Sequence, residues 1–249
     1  MAGHSKWAKV KHFKGGIDAK RSKLFGKLSK EIMVACRHGG GDPGFNPRLR
    51  TILLKARAGN MPAENIERAI KKGTGELGGI SYEELVYEAY AAGGVALILD
   101  LLTDNKNRTA AEIRAILGKH SGHLSPAKHL FQRKGQIIVP REQIGEDDLM
   151  TLVLEAGAED LVVHDDSYEV VTEPPQFELV HKAIEARGLK PISAEVAWLP
   201  LTPLPVTDPA VAKSVLDLIE ALEDHDDVQN IHSSADIPDA IAEKAQAGA

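Results

Sequence analysis

The stretch QIIVPREQIGEDDLMTLVLEAGAEDLVVHDDSYEVVTEPPQFELVHKAIEARGLKPISAEVAWLP (residues 136–200) decides the fold prediction. Four β-branched or aromatic runs, QIIVP, DLVVH, YEVVT and ISAEVAWLP, alternate with two runs of helical periodicity, EDDLMTLVLEAG and PQFELVHKAIEARG. The resulting order, β-α-β-β-α-β, is that of the ferredoxin-like arrangement. We therefore predict a ferredoxin-like α/β unit over residues 135–203.

A second α/β unit is predicted on both sides of this stretch. Residues 82–104 read as a β-hairpin that turns at Gly93 and Gly94, and residues 107–120 read as a helix. Residues 210–224 and 228–233 then supply a further helix and a short strand. We predict that residues 79–134 and 204–238 form one unit into which the ferredoxin-like unit is inserted, and that residues 239–249 are a frayed tail.

The first third of the chain has the periodicity of an amphipathic helical bundle. Leu24, Leu28, Ile32 and Cys36 recur at every fourth position between residues 18 and 37. A second helix is predicted for residues 47–58 and a third for residues 62–72. The predicted fold is thus α+β: a basic helical domain, residues 1–78, followed by two ferredoxin-like α/β domains, the second inserted into the first.

Charge is distributed very unevenly along the chain. Residues 1–72 carry a net charge of +12 and the remaining 177 residues carry −18, which gives the overall −6. The segment HSKWAKVKHFKGGIDAKRSKLFGKLSK (residues 4–30) contains one acidic residue against nine lysines and arginines. This separation indicates that the basic domain meets a polyanion while the rest of the chain does something else.

Basic residues of this domain are the candidate nucleic-acid contacts. In the arm before the first helix, lysines interleave with aromatic rings, so that charge can meet phosphates while rings stack on exposed bases. The alternative without a role in nucleic-acid binding is a solvated basic arm whose Trp7 packs back on the helical bundle as an anchor. The candidates are Lys6, Trp7, Lys9, Lys11, Lys14, Lys20, Arg21, Lys23, Lys27, Lys30, Arg48, Arg50, Lys55, Arg57, Lys71 and Lys72.

Other motifs support no cofactor, metal or catalytic site. GTGELG (residues 73–78) has the spacing of a dinucleotide motif, but a helix precedes it and a strand follows, which is the reverse of the required context. The histidines at 120, 123 and 129 have no carboxylate or cysteine at a spacing that would complete a metal site. The acidic run EDHDD (residues 223–227) could bind Mg²⁺ through its carboxylates, but we favour a solvated turn between a helix and a strand. Cys36 falls on the apolar stripe, and no nucleophile has a base at a defined spacing, so we predict a protein that is not an enzyme.

The compartment follows from cysteine content and hydropathy. A single cysteine excludes an internal disulfide framework, and no apolar run is long enough to cross a bilayer. We therefore expect a cytoplasmic protein without membrane contact.

Four long segments resemble the YebC/PmpR family, which includes the mitochondrial translational activator of cytochrome c oxidase subunit one. They are AGHSKWAKVKHFKGGIDAKRSKLFGKLSKEI (2–32), GGGDPGFNPRLRTILLKARAGNMPAENIERAIKKGTGE (39–76), YEAYAAGGVALILDLLTDNKNRTAAEIR (87–114) and LEDHDDVQNIHSSADIP (222–238). The resemblance implies three domains, an N-terminal helical one followed by two α/β domains, around a cavity or cleft. It also implies cytoplasmic proteins regarded as probable DNA-binding transcriptional regulators, while other members act in translation at the ribosome. Phe13 and Gly15-Gly16 depart from the residues usual in the family.

Three functions therefore stay open at the level of sequence. The first is a regulator of transcription that binds DNA through the basic domain. The second is a ribosome-associated translation factor that grips ribosomal RNA with the same charges. The third is an acidic protein-interaction scaffold whose basic helices dock on an acidic partner, with its own residues 223–227 as one candidate.

Overall fold

The computed structural model describes residues 17–78 and 81–247. Three helices come first and are followed by two four-stranded antiparallel sheets with their helices. This arrangement confirms the predicted α+β fold class, a helical bundle followed by two ferredoxin-like units of which the second is inserted into the first.

Described residues 17–78, here called the basic unit, contain α1 (Ile17–Gly39), α2 (Pro47–Ala58) and α3 (Ala63–Gly73). Asn46 joins two of these helices. Its side-chain oxygen accepts from the backbone N–H of Leu49 and so caps α2, while its amide donates to the carbonyls of Ala35 and Gly40 at the end of α1. The helices bury a common apolar core that includes Leu28, Ile32, Cys36, Leu49, Ile52 and Ala56.

Leu24 corrects one detail of the predicted apolar stripe. Its side chain is 43% exposed, whereas Leu28, Ile32 and Cys36 are buried as predicted. Leu24 lies beside Gly59, just past the end of α2: a Cβ there would lie 3.5 Å from Leu24 Cδ2, but glycine has no side chain to cover it.

The first α/β unit begins with the hairpin of β1 (Glu83–Tyr90) and β2 (Ala96–Thr103). Gly93 and Gly94 between them have φ values of 70° and 77°, a region that favours glycine. Helix α4 (Lys106–Lys119) follows, and β3 (His123–Leu124) then pairs with β1.

The inserted unit has six elements in the predicted order: β4 (Phe131–Pro140), α5 (Glu146–Glu155), β5 (Asp160–Val163), β6 (Ser167–Thr172), α6 (Phe177–Ala186) and β7 (Ser193–Pro200). Its strands lie side by side as β5-β6-β4-β7. The first and third strands of the unit are therefore central, as in a ferredoxin-like sheet. Strand β4 begins five residues earlier than the run QIIVP predicted, because residues 131–135 continue its pairing with β7.

The chain then returns to the first α/β unit. The returning elements are β8 (Leu204–Pro205), α7 (Pro209–Glu223), β9 (Val228–Ser233), β10 (Ala235–Asp236) and α8 (Asp239–Ala247). Strand β9 pairs with β2 and completes a sheet of order β3-β1-β2-β9, while β8 and β10 form a separate parallel pair.

Residues 239–247 form helix α8, whereas the sequence predicted a frayed tail over residues 239–249. Ala242 and Ala245 are 2% and 4% exposed, and they belong to the apolar core of the first α/β unit. The segment escaped prediction because its buried residues are alanines, which contribute little to a hydrophobic pattern.

The apolar clusters show which units share a core. A cluster containing Ala96, Ile98 and Phe131, with Trp198 packed on it, joins the first α/β unit to the inserted one. We call these two units together the α/β body. Each apolar cluster of the described residues lies wholly in the basic unit or wholly in the α/β body. Charged side chains connect the two parts.

Candidate nucleic-acid interface

Three lysines on α1 form what we call the lysine row: Lys23, Lys27 and Lys30. Their spacing places them on one side of the helix, away from the stripe that α1 buries in the bundle. The row faces the end of α7 and the turn after it, residues 223–227, which we call the acidic turn.

Every lysine of the row donates to the acidic turn. The Lys23 Nζ lies 2.8 Å from Asp224 Oδ1, and the Lys27 Nζ lies 2.7 Å from the Glu223 carbonyl oxygen. The Lys30 Nζ lies 2.8 Å from Asp227 Oδ1 and 3.0 Å from the Asp226 carbonyl oxygen. Because the last carbonyls of a helix carry partial negative charge, acids at this end of α7 need cations from elsewhere in the chain, and α1 supplies them.

Asp227 is the buried centre of this contact. Its side chain is 4% exposed and also accepts from Arg108, at 2.9 Å, and from the hydroxyl of Thr109, at 2.8 Å. Burial alone would raise the pKa of the Asp227 carboxyl, but the hydrogen bonds from Lys30, Arg108 and Thr109 outweigh it and hold that pKa below its ordinary value. At the neighbouring position of the row, burial lowers the pKa of the Lys27 ammonium, and the charges of Glu223 and Asp226 oppose this effect.

Three further candidates also pair with the α/β body. Arg48 donates to both carboxylate oxygens of Glu84, at 2.6 and 3.1 Å, Arg50 pairs with Glu178, and the Lys55 Nζ lies 2.9 Å from Glu195 Oε2. Burial would lower the pKa of Lys55, but Glu195 and Glu31 raise it overall. The pKa of Glu31 is raised by burial, which the charge of Lys55 only partly offsets.

Other candidates make no ion pair with the α/β body among the described residues. Arg21, Arg57, Lys71 and Lys72 are exposed, and within the described residues none of them has an ion-pair partner. Arg68 shares both properties and lies three and four positions before Lys71 and Lys72, on the same side of α3. We call Arg57, Arg68, Lys71 and Lys72 the open basic residues. Arg68 was missed from sequence because Glu64 and Glu67 made its half of α3 look neutral.

The structure brings together only part of the predicted site. Six of the candidates, Lys23, Lys27, Lys30, Arg48, Arg50 and Lys55, form one charged contact with the α/β body. The predicted arm residues Lys6, Trp7, Lys9, Lys11 and Lys14 lie outside the described residues, and so does the side chain of Lys20.

Phe45 is a second residue that the sequence analysis missed. Its side chain is 87% exposed in the loop between α1 and α2. The loop is held by Asp42, whose side chain accepts from the N–H of Gly44 and whose carbonyl accepts from the N–H groups of Phe45 and Asn46. These hydrogen bonds fix the loop, so the position of the exposed ring is ordered in the free protein. The signal in the sequence was an aromatic residue inside a Gly- and Pro-rich turn.

One group of side chains has the composition of a metal site. Ligand atoms of Glu112, His225 and Asp227 lie within 4.8 Å of one another. However, His225 Nδ1 accepts from the N–H of Asp227 and His225 Nε2 lies 2.9 Å from Glu112, while Arg108 and Lys30 pair with Asp227. A cation would have to displace these partners, so the geometry is that of an ion-pair network.

The neighbouring cleft is polar and of mixed charge. Its volume is about 530 Å³, and it is lined by both parts of the molecule, including Lys23, Lys30, Tyr82, Arg108, His225 and Asp227. The GTGELG motif lies elsewhere, at the end of α3 and before β1, so a helix precedes it and a strand follows. No helix among the described residues is both long and apolar enough to cross a membrane.

A basic three-helix unit attached by ion pairs to two ferredoxin-like units defines a class of three-part α+β proteins. Two family profiles match the chain: the TACO1/YebC protein N-terminal domain over residues 5–76, and the TACO1/YebC second and third domain over residues 82–235. The chain belongs to the TACO1/YebC family.

Similar proteins match along almost their whole length. A probable transcriptional regulatory protein of Halothermothrix orenii is 54% identical in an alignment 249 residues long that covers 98% of each chain. One of Dictyoglomus turgidum is 52% identical over 245 residues, which cover 97% of this chain and 98% of its own. The crystal structure of a conserved hypothetical protein from Aquifex aeolicus superposes with a TM-score of 0.84 at 44% identity, covering 94% of this chain and 98% of that one.

Proposed function

We propose that the protein is a non-enzymatic regulator of transcription that binds DNA through its basic unit and the lysine-rich arm before it. The observation that supports the proposal most strongly is the group of basic side chains that make no internal ion pair. The open basic residues have no ion-pair partner within the described residues, and they lie on the part of the chain whose net charge is opposite to that of the rest. The names of the relatives, probable transcriptional regulatory proteins, support the same class of function.

The chemistry of this surface suits a phosphate backbone better than a small ligand. Arginines and lysines spread over α2 and α3 can contact several phosphates at once, and such contacts carry no sequence information by themselves. The candidate arm residues Lys6, Lys9, Lys11 and Lys14 would extend the same surface along the duplex. Sequence preference would then come from DNA shape or from a few base contacts made by the arm.

A second candidate function is binding of structured RNA on the ribosome. Exposed Phe45, on its fixed loop, is the observation that favours it, together with Trp7 in the arm. Aromatic rings stack on unpaired bases, which RNA loops and bulges offer and a smooth duplex does not. The acidic α/β body would then face a protein or a functional centre.

Direct competition separates these functions. The full-length protein is bound to labelled ribosomal RNA at physiological salt and challenged with duplex DNA at equal phosphate concentration, and ribosome sedimentation is run in parallel. We expect duplex DNA to displace the RNA and ribosomes to sediment without the protein. Co-sedimentation with ribosomes, together with failure of DNA to compete, would overturn the DNA proposal in favour of RNA. If neither nucleic acid binds, the remaining function is the protein scaffold.

Phe45→Ala isolates the contribution of stacking in the same assay. The side chain is exposed, so the substitution leaves the fold intact. An RNA-binding function predicts weaker binding to a bulged RNA with unchanged binding to duplex DNA, because base stacking contributes about 1–3 kcal/mol. Equal affinities of the variant and the native protein for both ligands would exclude a stacking role for this ring.

A further inference from the structure

We propose that the acidic turn is an internal competitor for nucleic acid, which occupies the lysine row in the free protein and is displaced when phosphates bind there. This inference rests on the proposed function, because it concerns the regulation of the same basic surface. Binding would then separate the basic unit from the α/β body around the lysine row.

The contacts of the row are of the type that a phosphate backbone also offers. All three ammonium groups donate to oxygens, which are carboxylate oxygens of Asp224 and Asp227 and backbone carbonyl oxygens at the end of α7. Phosphate oxygens are acceptors of the same kind with a higher density of negative charge. The row can therefore exchange one set of oxygens for another without leaving an ammonium group unpaired.

The outer end of this contact is accessible to a competitor. The side chains of Lys23 and Asp224 are 43% and 65% exposed, whereas those of Lys30 and Asp227 are 16% and 4% exposed. Exposed pairs are weak and screened by salt. Displacement would accordingly begin at Lys23 and proceed along α1 toward Lys30.

The packing of the molecule permits such a separation. The described apolar clusters hold the basic unit together and hold the α/β body together, but none combines residues of both. Further contacts between the two parts are also polar: ion pairs of Arg48, Arg50 and Lys55, whose own side chains are between 34% and 45% exposed, a hydrogen bond from Arg37 to the Ser81 hydroxyl, a contact of His38 with Glu84, and the Lys30 ammonium over the Tyr82 ring. Opening would thus break charged contacts that a polyanion can replace, without exposing a shared hydrophobic core.

Competition has a specific effect on salt dependence. Salt weakens phosphate binding, but it also weakens the internal contact between lysine and carboxylate, which assists displacement and offsets part of the loss. The native protein should therefore have a smaller salt slope than the number of its phosphate contacts implies. Removing the internal anion restores the offset part, which is at most about 0.9 in the slope for each contact on duplex DNA.

The test compares two double variants of the full-length chain. Asp224→Asn with Asp226→Asn reduces the charge of the acidic turn, and the matched control, Glu146→Gln with Asp147→Asn, removes two exposed acids from the first turn of α5. Affinities for a 30-base-pair duplex and for a structured RNA are measured from 50 to 300 mM NaCl. We expect the acidic-turn variant to bind roughly threefold more tightly than the control, with a larger slope whose increase is at most about 0.9, because one lysine–carboxylate contact is removed.

Opening is measured separately by energy transfer. Dyes are placed on cysteines introduced at exposed Glu76 of the basic unit and exposed Glu155 of the inserted unit, while the native Cys36 is buried. We expect saturating DNA to lower the transfer efficiency in the native protein. If the two double variants have equal affinities and salt slopes, and DNA leaves the energy transfer unchanged, the acidic turn is not a competitor. The proposed DNA binding would not be affected by that result. If native protein and variants all fail to bind DNA and RNA, both this inference and the proposed function are overturned.

Discussion

Asp227 concentrates more charged contacts than its position in a surface turn suggests. Its buried carboxylate accepts from Lys30, Arg108 and Thr109. Removing one member of a buried ion pair leaves the other charges uncompensated. We predict that Asp227→Asn lowers the free energy of unfolding by roughly 3 kcal/mol, as measured by urea denaturation at pH 7.

Asp226→Asn provides the matched control for Asp227. The Asp226 side chain is exposed, and the Lys30 contact uses its backbone carbonyl, which the substitution keeps.

The pKa of Asp227 lies below its ordinary value, so the contribution of this carboxylate is present above about pH 4 and is lost as the pH falls further. The stability gap between native protein and Asp227→Asn should narrow accordingly toward pH 3. Equal losses in the free energy of unfolding for Asp226→Asn and Asp227→Asn at pH 7 would contradict the role of Asp227 as the buried centre of the contact.

Glu31 gives the opposite pH dependence. Burial raises its pKa, so the folded state keeps the proton at pH values where the unfolded chain has released it. Stability therefore falls as the pH rises above about 4.3, the ordinary glutamate value. We predict that Glu31→Gln is more stable than the native protein at pH 7.5 and that the difference narrows toward pH 4. Thermal unfolding at both pH values checks this, and a variant less stable at pH 7.5 would show that the ionised carboxylate is stabilising beside Lys55.

At the scale of elements, two glycines report on how the helices of the basic unit pack. A Cβ on Gly73 would lie 2.7 Å from the carbonyl oxygen of Met33 and 2.7 Å from the Cβ of Cys36, so α3 approaches α1 closely there. A Cβ on Gly26, within α1, meets nothing within 4 Å. We predict that Gly73→Ala destabilises the protein, whereas Gly26→Ala stabilises it by about 0.5–1 kcal/mol through helix propensity. Urea denaturation of the two variants is the measurement, and a Gly73→Ala protein as stable as the native one would refute the close contact.

Helix α8 makes a second prediction at this scale. Ala242 and Ala245 are buried against the first α/β unit, so ending the chain at Pro238 should expose apolar surface. We expect a loss of roughly 2 kcal/mol in the free energy of unfolding, measured against a control chain that ends at Ala247. A truncated chain with the stability of the control would support the frayed tail that the sequence suggested.

Most elements could be predicted because they are governed by local pattern. The stripe of α1 and the alternating runs of the inserted unit have the periods of helix and strand. Strand β3 and helix α8 could not be found in this way, since one spans two residues and the other buries alanines. For the candidate site, the sequence predicted which part of the chain is basic but not which basic side chains form internal ion pairs. Whether Lys55 faces solvent or Glu195 depends on a contact between residues 140 positions apart, which no local pattern encodes.

At the scale of the whole molecule, opposite net charges reside on two parts without a common apolar core. The basic unit contacts the α/β body through the lysine row, Arg48, Arg50 and Lys55, while the open basic residues have no ion-pair partner within the described residues. The sequence suggested that residues 223–227 could attract the basic helices, and the structure contains that contact. The same electrostatics therefore serves internal docking and, in our proposal, recognition of nucleic acid.

The salt dependence of DNA binding tests this account most directly. The log of the affinity of the full-length protein for duplex DNA is measured against the log of the NaCl concentration. The same measurement is made after replacing the open basic residues Arg57, Arg68, Lys71 and Lys72 by glutamine. A control replaces four exposed basic residues of the α/β body by glutamine: Arg114, Lys119, Arg187 and Lys190. If the open basic residues contact phosphates, their loss reduces the slope by about 0.9 for each contact, while the control keeps the native slope. The same slope for all three proteins would contradict phosphate contacts by the open basic residues, which is the observation on which the proposed function rests.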